Sequence, residues 1–231
     1  MLPAPGLLLG LPKFSRWFPG QEEIFKELVR WMESDVRFAC APIPTGFGKS
    51  LLGMLTGHWG DVRTAYITST KGLQSQLMDD FEPAGLREIK GRGSYICIAH
   101  PTMYTDTAPC TYGAECAVRR DCHYFSALDI ARESRLVNTN YSYWLYQNNH
   151  SDGISIAPSN VPPVGPGNPF GLLVLDEGHQ AASAIESYMR VHLDERELEE
   201  FEPEGDSWED WQAAASPVRY AATQERRELE M

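Results

Sequence analysis

The 231-residue sequence lacks the features that would place it outside the ordinary globular proteins. No apolar run approaches the roughly 18 residues that a membrane helix needs, so no membrane partner is expected. With 42% hydrophobic and 23% charged residues, the composition is not that of a collagen-like, coiled-coil or wholly disordered chain. The leucine-rich start, residues 7–11, has no basic segment before it and no clear signal-peptidase site. We therefore expect a cytoplasmic protein whose five cysteines are reduced thiols or ligands.

Basic residues are also scarce, but the shortage is confined to one part of the chain. The sequence has 20 Lys+Arg against 32 Asp+Glu, a net charge of −12. Residues 1–150 contain 15 of each sign, whereas residues 151–231 contain 5 basic and 17 acidic residues. Lys and Arg supply most of the affinity for phosphate backbones, so the total charge would argue against a nucleic-acid partner. The balanced first part removes that objection, and we expect the acidic run over 194–210 to face away from any DNA.

Apolar periodicity predicts alternating strands and helices flanking one buried sheet. The predicted helices cover 21–32, 49–55, 72–81, 124–132 and 141–147; the predicted strands cover 36–42, 64–68, 135–138 and 171–176. The first strand contains Cys40, which is expected to pack in the core. Five prolines and three glycines predict a loop over 151–169. Strands that alternate with helices predict an α/β fold with a parallel sheet.

The sharpest motif lies between the first predicted strand and the helix after it. It reads Thr45-Gly46-Phe47-Gly48-Lys49-Ser50, with Ile43 where the strict P-loop pattern has glycine. Glycines let backbone N–H groups converge on phosphates, Lys49 is expected to reach the β and γ phosphates, and the Ser50 hydroxyl to bind Mg²⁺. This pattern predicts a nucleoside triphosphate site.

A second motif follows the last predicted strand, whose carboxyl end should lie at the ligand-binding edge of a parallel sheet. Asp176 is expected to hold Mg²⁺ and Glu177 to polarise the water that attacks the γ-phosphate. An Asp-Glu pair alone is a weak signal. Together with the P-loop it indicates hydrolysis of ATP.

The residues Asp176-Glu177-Gly178-His179 resemble the second motif of superfamily 2 helicases, so the resemblance implies a RecA-like P-loop NTPase domain with His179 in its catalytic set. Upstream, Phe18-Pro19-Gly20-Gln21 looks like the adenine-reading element of that superfamily. The resemblance implies that the Gln21 side chain hydrogen-bonds the adenine base. Thr68-Ser69-Thr70-Lys71 resembles the motif with which that superfamily contacts single-strand phosphates. An ordinary helix cap fits the same residues.

Four cysteines between the two nucleotide motifs, Cys97, Cys110, Cys116 and Cys122, narrow the resemblance to the DinG/XPD-like iron-sulfur helicases, in which four such cysteines hold a [4Fe-4S] cluster. Spacing alone allows zinc equally, and the absence of a Cys-x2-Cys pair argues only mildly against common zinc modules. Arg92, Arg119 and Arg120 flank the cysteines and are the DNA-contact candidates. A metal-cluster insert over 91–124 would interrupt the RecA-like domain of 1–90 and 125–193, with an acidic helical tail over 194–231.

Nothing after His179 resembles a second RecA-like domain, which the same polypeptide or a partner chain would have to supply. The primary hypothesis is an ATP-dependent helicase acting 5′ to 3′ on single-stranded DNA, as the resemblance implies. The alternative is a non-motor adaptor that uses a nucleotide fold and a zinc or iron-sulfur insert to bind nucleic acid or protein.

Overall fold

The computed structural model describes residues 2–150, 169–189 and 207–214. The chain divides into two compact units, residues 1–185 and 186–231. The first unit contains a four-stranded sheet built from β1 (Thr64–Thr68), β2 (Leu86–Glu88), β3 (Leu136–Asn140) and β4 (Leu172–Leu175). The strand order is β2-β3-β1-β4, and all three neighbouring pairs are parallel.

Helices separate these strands along the chain, as parallel pairing requires. Helices α1 (Pro5–Leu9), α2 (Gln21–Met32) and α3 (Lys49–Trp59) precede β1. In turn, α4 (Lys71–Phe81), α5 (His123–Glu133) and α6 (Tyr141–His150) lie between successive strands, and α7 (Ala181–Met189) follows β4. The described part of the second unit contains helix α8 (Trp208–Ala214). The prediction of an α/β fold with a parallel sheet flanked by helices is confirmed.

Two main groups of buried side chains hold the first unit together. The first group lies around α1, α2 and α3 and contains Leu9, Leu11, Phe25, Leu52 and Tyr66 among others. The leucine-rich start of the chain is therefore part of the core. The second group joins β3 to α5 and α6 and includes Ile89, Tyr124, Leu128, Val137 and Tyr143.

The strand predicted over 36–42 is not formed. Val36 and Phe38 are 60% and 84% exposed, and Cys40 is exposed rather than packed in the core. An apolar run becomes a strand only when its backbone groups find a neighbouring ladder, and among the described residues no strand pairs with this segment. The last predicted strand was expected to be buried, but among the described strands β4 pairs only with β1, and Leu173 and Leu175 are 45% and 47% exposed.

Between β2 and α5 the chain makes turns and three short 3-10 helices, Arg92–Ser94, Pro109–Tyr112 and Arg119–Asp121. A single isolated antiparallel bridge, Ile96 to Tyr104, joins two of these turns. This irregular stretch coincides with the predicted insert. The loop predicted over 151–169 and the acidic run over 194–210 lie almost wholly outside the described residues. Within the described ranges, no helix has the length and apolar character that crossing a membrane requires.

Candidate nucleotide site

The predicted phosphate loop leads directly into helix α3. Gly46 and Gly48 have φ angles of 79° and 86°, a conformation that residues with side chains rarely adopt. Gly48 is the N-cap of α3, whose first turn contains no acidic residue. The unpaired N–H groups of such a turn and the positive end of the helix dipole attract anions. Ile43 packs against the core beside the loop, which accounts for an apolar residue where the usual pattern has glycine.

The acidic pair meets this loop at the carboxyl end of β4. Asp176 follows the strand directly, and its N–H donates to the Ile67 carbonyl of β1 at 2.9 Å. Lys49 Nζ lies 2.6 Å from Glu177 Oε1, so the two motifs are joined by an ion pair between residues 128 positions apart. Glu177 has a φ of 49°, an uncommon conformation for a residue with a side chain.

The charge of Lys49 and burial have opposite effects on the pKa values of Asp176 and Glu177. Burial raises the pKa of Asp176, although the nearby Lys49 charge partly offsets this effect. The hydrogen bond from Lys49 lowers the pKa of Glu177 and the same contact raises the pKa of Lys49. His179 Nδ1 lies 3.4 Å from Glu177 Oε2, with its side chain 71% exposed. Glu177 is therefore ionised and held on the loop lysine.

The residues here suit Mg²⁺ with a nucleotide. Mg²⁺ in such sites is bound through one or two carboxylates together with substrate phosphates and water. Ser50 opens helix α3, and the Asp176 carboxylate lies near Lys49. A hydroxyl and a carboxylate next to a phosphate-binding loop are the oxygen ligands that this ion prefers. Ser50 and Asp176 would hold it.

Gln21 has other partners than a base. Its side chain is 1% exposed; Nε2 donates to the Phe47 carbonyl at 2.9 Å, and Oε1 accepts from Phe18 N–H at 3.1 Å. A Cβ on Gly48 would lie 2.5 Å from Nε2. In this conformation Gln21 supports the predicted phosphate loop through its hydrogen bond to the Phe47 carbonyl. The role of Gln21 in binding adenine stays a prediction.

The predicted phosphate-contact motif follows β1 and opens α4. Thr70 caps the helix, because its hydroxyl accepts from Leu73 N–H at 3.3 Å. Thr68 is fully buried and its hydroxyl donates to the Thr70 carbonyl at 3.2 Å. The cap alternative thus holds for Thr70, which is exposed together with Lys71, while Ser69 is half-buried.

Two of the three candidate arginines pack on aromatic rings beside the cysteine segment. The Arg119 guanidinium lies 3.7 Å from the centre of the Phe125 ring, and Arg92 lies 4.9 Å from that of Tyr124. Arg92 also donates to the Thr111 hydroxyl at 3.0 Å. These contacts tie the start of the insert to its exit. Arg120 is exposed.

The four predicted cluster ligands all fall within the described residues. Cys97 and Cys122 are buried, and Cys110 and Cys116 are half-buried. Among the described residues no three His, Cys, Asp or Glu side chains are grouped so that they could hold a metal ion. The [4Fe-4S] cluster, with zinc as its alternative, therefore remains a prediction from the sequence.

Sequence reasoning missed two tyrosines beside the acidic pair. Tyr141, at the start of α6, donates its hydroxyl to the Asp176 carbonyl at 3.0 Å. Tyr66, in the middle of β1, is 1% exposed, and its pKa is raised first by burial and then by the charge of Asp176. A tyrosine within a buried strand next to a P-loop is the signal that could have identified Tyr66, because a buried phenol needs a polar partner.

Comparison of the chain with protein-family models, with curated proteins and with solved structures found no significant match.

Proposed function

We propose that this chain is the nucleotide-hydrolysing domain of an ATP-dependent DNA helicase that moves 5′ to 3′ on single-stranded DNA. The observation that carries the proposal is the 2.6 Å ion pair between Lys49 and Glu177. It brings a glycine-containing loop at a helix N-terminus together with an acidic pair at the carboxyl end of a parallel strand. That combination is the one that binds and hydrolyses nucleoside triphosphates on this type of sheet.

The ion pair also suggests how substrate prepares the site. The Lys49 ammonium is held by one carboxylate, and the phosphates of ATP offer it several negative oxygens. When Lys49 moves to the phosphates, Glu177 loses its hydrogen-bond partner and becomes free to orient a water molecule. Mg²⁺ would supply charge neutralisation between the phosphates when bound, with Ser50 and Asp176 as its protein ligands.

DNA binding and movement require more than the described residues. Thr70, Lys71, Arg119 and Arg120 are the predicted contacts that are exposed to solvent. A second RecA-like domain, in the same polypeptide or in a partner chain, would close over ATP and supply an arginine. Since such an arginine changes the rate by about 10³–10⁵, we expect the chain alone to bind nucleotide weakly and turn it over slowly.

The test is nucleotide binding and ATP hydrolysis by Lys49→Ala. Lys90→Ala is the matched control, because Lys90 also forms a half-buried ion pair, 2.9 Å from Glu88, outside the loop. We expect Lys49→Ala to abolish binding or turnover and Lys90→Ala to retain both. Equal activity of wild type and Lys49→Ala would refute the assignment of the loop.

Single-stranded DNA separates the motor from the adaptor alternative. The motor predicts that DNA stimulates ATP hydrolysis once the second domain is present. Binding of DNA without any ATP hydrolysis in the complete assembly would favour the adaptor. The [4Fe-4S] cluster, with zinc as its alternative, is tested separately by iron and zinc analysis after anaerobic purification, where about four irons per chain are expected.

A further inference from the structure

Strand β4 has one edge that no described strand covers. The N–H groups of Leu172 and Asp176 donate to carbonyls on the β1 side. The backbone groups of alternate residues in a parallel strand point to opposite sides, so those of Leu173 and Leu175 point to the free edge. Both leucine side chains are also nearly half exposed. Unpaired backbone groups in a row make such an edge a template for another strand.

The segment of residues 36–41 runs in the direction that such a strand requires. Helix α2 ends at Met32, and a Cβ at Gly60, just before β1, would collide with the Met32 side chain. Beyond the segment, Lys49 lies 2.6 Å from Glu177, just past β4. The chain therefore passes from the amino end of the sheet to its carboxyl end, parallel to β4. Extended, these residues span about 20 Å, enough to cover the roughly 13 Å of β4.

The side chains of this segment alternate in size. In a strand, Val36, Phe38 and Cys40 would share one face, and the small Ala39 and Ala41 would lie on the other. All of these residues are exposed in the structure, Val36 by 60% and Phe38 by 84%. An alternating pattern with its apolar face in water indicates a strand that lacks its packing partner.

The two faces of β4 match this alternation. A Cβ at Gly53 of α3 would lie 2.9 Å from Val174 Cγ1, so the face of β4 that contains Val174 is already covered by the helix. The opposite face contains the exposed Leu173 and Leu175. The two alanines of the segment suit the covered face because they are small, and its larger apolar side chains would pack beside the two leucines.

We propose that residues 36–41 dock on the free edge of β4 as a fifth, parallel strand, in a closed conformation that exchanges with the open one. The segment is tethered at both ends beside this edge, so its effective concentration there exceeds that of a second copy of the chain. Closure would join the predicted phosphate loop to the sheet, since the loop follows the segment directly. The closed conformation needs no bound nucleotide, because both strands belong to the free chain.

The test is disulfide trapping in the full chain at low protein concentration, without nucleotide. Leu173→Cys and Leu175→Cys each place a thiol on the exposed face of β4. Paired strands lie about 4.8 Å apart, within the Cα separation that a disulfide spans. We expect Cys40 to link to the new thiol within one chain in one of the two variants, depending on the register, as identified by mass spectrometry of the linked peptides.

Val174→Cys is the matched control, because its thiol lies on the opposite face of β4, and it should not link to Cys40. In the variant that links, Cys40→Ser should remove the link. Amide hydrogen exchange of the wild type is a second measurement. Residues 36–41 should exchange at least about tenfold more slowly than a free peptide of the same sequence.

Absence of a link in both variants would overturn the proposal, as would equal linking by Val174→Cys, which would show random collision of a loose segment. Exchange of residues 36–41 at the rate of the free peptide would overturn it as well. A link that forms only between two chains would show that a second copy, not the chain's own segment, occupies the edge. None of these outcomes bears on nucleotide binding, which the Lys49→Ala variant tests separately.

Discussion

Replacement of Gly48 by alanine should destabilise the protein through two separable effects. Gly48 has a φ of 86°, and holding an L-residue in this left-handed region costs about 1–2 kcal/mol. The new Cβ would also lie 2.5 Å from Gln21 Nε2. Gln21 must then move and give up its 2.9 Å hydrogen bond to the Phe47 carbonyl, a loss of about 0.5–1.5 kcal/mol. The expected total is about 1.5–3.5 kcal/mol of unfolding free energy.

Gly85→Ala isolates the backbone effect. Gly85 has a φ of 91°, and a Cβ there would meet no atom within 4 Å. Its cost should therefore be about 1–2 kcal/mol. Urea unfolding of the full chain, followed by circular dichroism, measures both variants, and Gly48→Ala should be the more destabilising.

A double-mutant cycle with Gln21→Ala tests the second effect. In that background the hydrogen bond is already absent and the colliding amide is gone, so Gly48→Ala should cost only as much as Gly85→Ala. The expected coupling free energy is about 0.5–1.5 kcal/mol. If Gly48→Ala lowers the free energy of unfolding equally with glutamine or alanine at position 21, then the hydrogen bond from Gln21 to the Phe47 carbonyl does not support the predicted phosphate loop.

Three further predictions concern stability. Arg63 donates from Nη2 to the Ala131 carbonyl and from Nε to the Ser134 carbonyl while 5% exposed; Arg63→Met removes both hydrogen bonds, at about 0.5–1.5 kcal/mol each, so urea unfolding should show a loss of about 1–3 kcal/mol. Thr70→Ala removes the cap of α4 and should cost about 0.5–2 kcal/mol by the same assay, whereas Thr70→Ser should cost less. The hydrogen bond from Lys26 lowers the pKa of Glu22 in the folded state, so the stability that Glu22 contributes is present above its unfolded pKa and is lost as pH falls through the folded one. Glu22→Gln should therefore be less stable than wild type at pH 7 and converge with it in acid, and a constant difference across a pH series of urea midpoints would contradict this.

Five helices, α2 to α6, could be predicted because their signals are local, whereas α1 and α7 were not predicted. The apolar spacing in α2 predicted both of its ends correctly, Gln21 and Met32. Strands depend on partners that are distant in sequence. Strand β2, Leu86–Glu88, has no apolar run of its own and exists because it pairs with β3, so the sequence did not indicate it. Segment 36–42 is the converse case, with strand-like composition and no partner among the described strands.

The candidate site divides in the same way. Lys49, Ser50, Asp176 and Glu177 could be identified because their residue types and spacing follow from phosphate chemistry. The ion pair between Lys49 and Glu177 depends on how β4 pairs in register with β1. The motif around Gln21 predicts that this side chain binds a base. Its hydrogen bond to the Phe47 carbonyl could not be predicted, because that bond depends on how a loop 26 residues further along the chain folds back on Gln21.

The distance in sequence between Lys49 and Glu177 affects when the site can form during synthesis. The two residues are 128 positions apart, and ribosomes add about 5–20 residues per second. Lys49 is therefore added to the chain about 6–26 s before Glu177. Strand β4, which positions that carboxylate, is also the last of the described strands to be synthesised. A nascent chain therefore has the N-terminus of α3 well before it has Glu177, and the candidate nucleotide site can form only when the last described strand docks on the sheet.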